Sequence, residues 1–323
     1  MTITLASLFV VGFSERNGGK LDGIKRRDNM MAVSATIGGS QAAAAIGVSR
    51  WKSQMELWLE KTGRKPKSEI PENLSKFGNI MEEVIAKEFS QETGLRVRRV
   101  SKMYQHPEHE FMIGFIDRKV VGENAFLECK NTSEWASNEW KDDNVPLEYW
   151  IQCQHYMAIG NFDYCYIATV IGGNRFFYKR IERDNEFIAK LIELEKKFYE
   201  MVINDTPPDA RDFKDAQLFV EHYYQPTDTV VEIEGLEPLV KDIIEMKAQV
   251  KELQEEIKKR EVQIKEMMEE ASVAIIGDYE VVWKPQVSKR LDTRRLKKEN
   301  PEIYQKYVKE ITSRVFRIKE RRD

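Results

Sequence analysis

FMIGFIDRKVVGENAFLECKN, residues 111–131, predicts two apolar strands joined by a tight turn. It also carries three charges that a core strand should not have: Asp117, Glu128 and Lys130. Side chains alternate faces along a strand, so Glu128 and Lys130 share one face while Cys129 points to the other. A carboxylate and an ammonium then sit together at a strand end, within reach of an aspartate from the neighbouring strand.

Such a trio suits phosphodiester hydrolysis. The anionic ester repels hydroxide, and cleavage needs the charge on the attacking and leaving oxygens neutralised. Two carboxylates holding Mg2+ or Mn2+ can do this, since these ions take oxygen ligands and keep open water positions. Asp117 and Glu128 are the candidate ligands, the backbone carbonyl of Cys129 a further hard oxygen, and Lys130 the charge beside the nucleophile. Glu-x-Lys alone is weak, because charges alternate on many exposed strands and a surface salt bridge explains them. The upstream aspartate between apolar stretches is what lifts the pattern above that reading.

The 323 residues allow one full core and an appended module. A net charge of -3 argues against nucleic acid, but residues 284–323 hold 14 Lys and Arg against 6 Asp and Glu, a net of +8. Three cysteines without C-x-x-C spacing fit neither a disulfide framework nor a zinc site. The apolar run 3–13 has no basic residue before it and no small-x-small cleavage pattern after it, so a cytoplasmic protein is expected. No stretch approaches the roughly 20 apolar residues of a membrane span.

Residues 1–33 are expected to be irregular. In IGGSQAAAAIGVSRW, residues 37–51, Gly38 and Gly39 loosen the backbone and Ser40 is the expected N-cap of an alanine helix. Such an N-terminus is an ordinary cap or a phosphate seat. Ser53 predicts a second capped helix through Leu59. A third, Pro71 to Thr93, carries Phe77, Met81, Val84, Ile85 and Phe89 on its apolar face, with Glu82 beside that stripe and Gly94 closing it. Gly78 is expected to admit close packing by another element. A strand over 95–104 and a solvated turn with His106 and His109 precede the opening stretch; residues 132–145, with Trp135 and Trp140, read as surface.

Pro146 opens a helix to Gly160 that puts Gln152, His155 and Tyr156 on one face. A hairpin about Gly172-Gly173 and a helix from Asn185 to about Ile203 follow, and Pro207-Pro208 marks the expected domain boundary. Leu239, Ile243, Met246, Val250, Leu253, Ile257, Ile264 and Met267 keep an alternating four-three spacing interrupted by Arg260. That heptad seam predicts a helix over about 238–270 that pairs with another, within the chain or between subunits. Residues 274–284 predict a hairpin and 301–310 a short helix. The end, TSRVFRIKERRD, is an edge strand or a solvated tail.

Taken as a series, GGS at 38–40, Gly78 followed by Glu82, Gly114 to Asp117, Glu128 to Lys130, and Gln152 with Tyr156 resemble the YqaJ-like viral recombinase family. That family belongs to the phage lambda exonuclease group of the PD-(D/E)XK nucleases. The likeness spans about residues 34–205 and also touches the tail.

It implies an α+β nuclease core, a mixed central sheet flanked by helices, over 34–208, followed by a helical and basic module over 209–323. The implied activity is metal-dependent degradation of linear double-stranded DNA from 5′ ends, leaving 3′ overhangs for phage recombination by strand annealing. By motif, Glu82 is the helix carboxylate near the metals, with Glu83 in reserve, Asp117 and Glu128 the main ligands, Lys130 the catalytic lysine and Gln152 its helper. Ser40 and Tyr156 are the DNA and 5′-phosphate-binding residues, with Ser40 contacting the phosphate at its helix N-terminus. The implied partners are DNA ends, a RecT-type single-strand annealing protein and, in a ring-shaped trimer, further copies of the chain.

Two departures stand out: Ile116 replaces the usual proline, and Val33 stands where the lambda enzyme has an arginine that Arg26, Arg27 or Arg50 would have to replace. A DNA-end binding protein without catalysis and a repair or restriction endonuclease are the competing readings.

Overall fold

The computed structural model describes residues 35–68, 71–142, 144–310 and 314–320. The expected irregular segment 1–33, with Val33, Arg26 and Arg27, lies outside them. The chain divides into two compact units, Met1–Gln225 and Pro226–Asp323.

The first unit is built on two sheets. Strands β2 (Val97–Arg99), β5 (Arg118–Val120), β6 (Ala125–Thr132), β7 (Tyr164–Ile171) and β8 (Arg175–Glu182) form a five-stranded sheet in the order β2-β5-β6-β7-β8. Only β6 and β7 run parallel in it. Parallel neighbours need a crossover, and helix α4 (Leu147–Gly160) lies in that connection. β1 (Ile37–Gly38), β4 (Met112–Gly114) and β3 (Tyr104–Gln105) make a second, smaller sheet. The expected α+β core with a mixed sheet is what is found.

The opening stretch thus contains three strands rather than two. The chain breaks between β4 and β5 at residues 115–117, leaving Asp117 at the bend, and the expected single strand over 95–104 is likewise split into β2 and β3.

Alternation along β6 sorts its side chains to two layers. Leu127 and Cys129 join Ile85 and Phe89 of helix α3 (Glu72–Thr93) on one face. Phe126 faces the larger core with Cys153, Met157 and Phe162, on the α4 side. Glu128 and Lys130 share that second face.

Helix α1 (Gly39–Ala45) is capped by Gly38, whose N–H donates to Gln41 Oε1 at 3.3 Å, so Ser40 sits exposed inside the first turn and is not the N-cap. Helix α2 (Gln54–Lys61) starts as expected, with Ser53 Oγ accepting from Glu56 N at 3.0 Å. On α3 the apolar stripe is only half used: Ile85 and Phe89 are buried, but Phe77 and Val84 are exposed and no described residue packs against Gly78. Trp140, expected at the surface, is buried against Phe177, while Trp135 is exposed.

Helix α5 (Asn185–Ile203), capped by Asp184, packs on α4. Helix α6 (Phe213–Tyr223) packs on α2, with Tyr223 stacked on Trp58 at 6.0 Å. Pro207-Pro208 therefore falls inside the first unit, in the connection between α5 and α6.

The second unit holds α7 (Glu237–Met268), a hairpin of β9 (Val273–Ile276) and β10 (Tyr279–Val282), and the short helices α8 (Thr293–Glu299) and α9 (Pro301–Tyr307). Residues 314–320 carry no regular structure. No helix among the described residues is long and apolar enough to cross a membrane.

A buried ion pair ties α4 to α5. His155 Nδ1 lies 2.8 Å from Glu195 Oε1, and its Nε2 lies 3.0 Å from the Ile113 carbonyl. Both ring nitrogens face acceptors, which favours the doubly protonated ring. Burial pushes the imidazole pKa down, but the Glu195 carboxylate outweighs it and the net shift is upward. A raised folded pKa contributes stability in full below the unfolded value of about 6.5, and loses it as the pH climbs through the folded value. Thermal unfolding of wild type and Glu195→Gln should therefore differ most near about pH 6 and converge at higher pH. A gap that widens with pH would contradict the charged pair.

Candidate active site

The β5–β6 ladder pairs Arg118 with Leu127, and one further step in that register sets Asp117 opposite Glu128. There the backbone ladder ends and a side chain takes over: Cys129 N donates to Asp117 Oδ2 at 2.7 Å. The bend before β5 thereby fixes the Asp117 carboxylate against the edge of β6.

Glu128 is buried, and its Oε1 accepts from Lys130 Nζ at 2.7 Å and from Gln152 Nε2 at 2.8 Å. Lys130 Nζ also donates to Gln152 Oε1 at 3.0 Å and lies 4.8 Å from the centre of the Tyr149 ring. Gln152 is thus bonded to both members of the pair, and its Nε2 further donates to the Tyr156 hydroxyl at 3.1 Å. One turn of α4 separates Gln152 from Tyr156, which is why a single helix face supplies both.

The Tyr156 ring also explains two glycines. A Cβ on either Gly39 or Gly114 would collide with it, so α1 and β4 close on the ring only because both positions lack a side chain. Ser40 is consequently the residue next to one that touches Tyr156.

The electrostatics are those of a crowded carboxylate site short of positive charge. Burial, with the neighbouring Glu128 carboxylate adding to it, pushes the Asp117 carboxyl up to about 8. Burial lowers the Lys130 ammonium, yet Glu128 outweighs that, and its pKa ends above the usual lysine value. Lys130 is accordingly a firm cation at neutral pH. Burial raises the Tyr156 phenol, which stays neutral.

Glu82 bonds Arg118 rather than Asp117 or Glu128, but it lies close enough for its charge to push the Asp117 carboxyl up further. Arg118 is a buried residue on the α3 side that also donates to Glu83 Oε2 at 2.7 Å and to the Asp117 carbonyl at 2.8 Å. Arg118 thereby ties both helix carboxylates to the bend that carries Asp117. Sequence reasoning missed it; the signal was an arginine at an inward position of an apolar strand, which needs a carboxylate partner. Arg50, the described candidate for the absent arginine, pairs with Glu139 and Glu148.

Whether a divalent cation suits this donor set can be tested on two features. Glu128 Oε2 is buried with no hydrogen-bond partner among the described residues, and burial, with Glu128 adding to it, keeps Asp117 from ionising readily. Both are what two hard oxygens facing an intended cation would show. Among the described residues no three His, Cys, Asp or Glu side chains form a metal cluster. Two carboxylates, with a backbone carbonyl, water and substrate completing the shell, fit Mg2+ or Mn2+ better than Zn2+.

The YqaJ-like viral recombinase domain matches residues 25–163. The YqaJ protein of Bacillus subtilis (strain 168) is 39% identical over 290 residues, which cover 88% of this chain and 91% of that one. The chain belongs to the YqaJ family. Among solved structures, the YqaJ-family chain is similar to an alkaline exonuclease from Laribacter hongkongensis, at 21% identity and a TM-score of 0.46, over 59% of this chain and 99% of that one. It is also similar to a phage-related exonuclease from Haemophilus somnus 129PT, at 18% identity and a TM-score of 0.42, over 53% and 96% of the two chains.

Asp117→Asn keeps the acceptor for Cys129 N and removes the charge. With its folded pKa raised to about 8, metal-free Asp117 favours folding below the ordinary aspartate value and loses that contribution as pH rises through about 8. Without divalent cations the variant should therefore gain on wild type as pH rises, by a few kcal/mol, on the order expected from such a shift. Urea denaturation in chelator at pH 5 to 9, run on both proteins, reads this difference, and a constant gap would contradict it.

Proposed function

We propose that this YqaJ-family protein is a metal-dependent DNA nuclease that degrades linear double-stranded DNA from 5′ ends and leaves 3′ overhangs for annealing. The observation that carries the reading is the convergence of Asp117, Glu128, Lys130 and Gln152 where β5 ends beside the central strand β6, with a buried carboxylate oxygen that has no hydrogen-bond partner among the described residues.

In this reading Asp117, Glu128 and the Cys129 carbonyl hold Mg2+ or Mn2+. When bound, the cation supplies positive charge to the scissile phosphate and makes a water more acidic. Lys130 acts as a fixed cation beside the nucleophile. A lysine whose pKa lies above the usual value does not serve as a general base at neutral pH, so its work is to stabilise developing negative charge. Gln152 fixes the direction of the Lys130 ammonium and the Glu128 carboxylate together. Tyr156 holds Gln152 in turn, and its buried ring excludes water from that side.

Glu82, anchored by Arg118, contributes charge next to Asp117. Ser40, exposed in the first turn of α1 beside the Tyr156 contact, is the proposed 5′-phosphate contact. A RecT-type annealing protein is the proposed recipient of the 3′-ended strand, and the +8 tail is a candidate for added duplex affinity.

End-labelled linear duplex and covalently closed circular DNA, each incubated with and without Mg2+, test this directly. Wild type should digest only the linear substrate, only with the cation, and release label from the 5′ end. Lys130→Ala should lower kcat by about 100-fold or more, as loss of a charge-stabilising group does. Cleavage of the closed circle would favour an endonuclease. Binding of ends without any loss of DNA would favour the non-catalytic reading.

A further inference from the structure

We infer that α7 is a self-pairing surface, on which a second copy of this chain docks antiparallel to form a two-stranded coiled coil. The inference is independent of the nuclease reading.

Most of the seam of α7 is exposed: Leu239, Met246, Val250, Leu253, Ile257 and Met267 are each more than half accessible, while Ile243 and Ile264 are half-buried. It is also regular. Ile243, Val250, Ile257 and Ile264 occupy one core position of the heptad, all β-branched. Leu239, Met246, Leu253, Arg260 and Met267 occupy the other. From Leu239 to Met267 that is four heptads, or about 42 Å of helix at 1.5 Å per residue. The remaining helices of the second unit, α8 and α9, span seven residues each, about 10 Å, and are too short to cover it. An apolar stripe of this length, interrupted only at Arg260, on a charged helix calls for a helix of equal length. A second α7 supplies one.

Charge selects the orientation. In a parallel, in-register pair Arg260 stacks on its own copy in the core, and Glu256 faces Glu261 of the other helix twice. Both are like-charge contacts, set against the attraction of Asp242 for Lys247. In an antiparallel pair centred near residue 255 the core layers become Ile243 with Met267, Met246 with Ile264, Val250 with Arg260, and Leu253 with Ile257. The two arginines separate, and each can run its aliphatic stem along Val250 while its guanidinium reaches water. Lys247 then faces Glu261 across the interface on both sides. One like-charge contact remains, Glu256 with its copy at the axis. Each Glu256 is already paired in its own helix, with Arg260 at 3.3 Å and Lys259 at 3.6 Å. Each antiparallel layer also sets a β-branched side chain against a longer unbranched or γ-branched one.

Light scattering of the full chain over about 1 to 50 μM should give twice the 37.9 kDa chain mass. Val250→Asp with Leu253→Asp should reduce it to one chain, and circular dichroism and unfolding of the first unit check that the protein is still folded. Glu261→Lys reports orientation. In the antiparallel pair it turns two attractions into repulsions and should weaken the dimer by about tenfold, with Lys247→Glu in the same chain restoring it. In a parallel pair Glu261→Lys relieves a repulsion and tightens the dimer. A single-chain or three-chain mass for wild type overturns the inference. Tightening by Glu261→Lys overturns the antiparallel arrangement.

Discussion

The Glu128 carboxylate sits buried on the α4 side of β6, one oxygen bonded to Lys130 and Gln152 and the other without a hydrogen-bond partner among the described residues. An uncompensated buried carboxylate oxygen is costly, and folded chains rarely leave one without a use for it. Much of the first unit follows from holding it there. The crossover between β6 and β7 brings α4 across that face, Gln152 satisfies the strand pair, Tyr156 backs Gln152, and two glycines let α1 and β4 close around the Tyr156 ring. Asp117 completes the arrangement by substituting its side chain for the next rung of the sheet.

The two faces of β6 divide the work. Leu127 and Cys129 pack under α3 and give the sheet its apolar support, while the residues between them carry charge. Arg118 links the sides: it points toward α3, grips Glu82 and Glu83, and bonds the carbonyl of Asp117. A disturbance of α3 can therefore reach the bend that sets Asp117. Deep burial makes this site electrostatically sensitive, because nearby charges interact more strongly where water is excluded.

Much of this was legible in the sequence where local rules dominate. The period of two along residues 125–132 put Glu128 and Lys130 together, the four-residue spacing joined Gln152 to Tyr156, and Ser53, Gly94 and Pro146 marked helix ends as expected. What was not legible depended on contacts between distant segments. Nothing in GGSQAAAA shows that Gly39 is small because a tyrosine over a hundred residues away needs the space, or that Gln41 rather than Ser40 serves the helix start. The spacing puts five apolar residues on one face of α3, but Phe77 and Val84 of that face stay exposed while Ile85 and Phe89 are buried. The role of Arg118 is not legible in the sequence, because a charged residue on a short strand declares its partner only when the helix beside it is placed.

In the proposed function Asp117 and Glu128 are the carboxylate pair that binds a divalent cation. With Asp117 raised to about 8, its carboxyl is mostly protonated at pH 7 in the metal-free protein, so cation binding must expel that proton. Calorimetric titration of Mn2+ into the metal-free protein at pH 7, repeated in buffers of different ionisation enthalpy, counts protons released per ion bound. The account predicts release approaching one proton per chain in wild type and none from this site in Asp117→Asn. Absence of binding, or binding with the same proton count in both proteins, would contradict it.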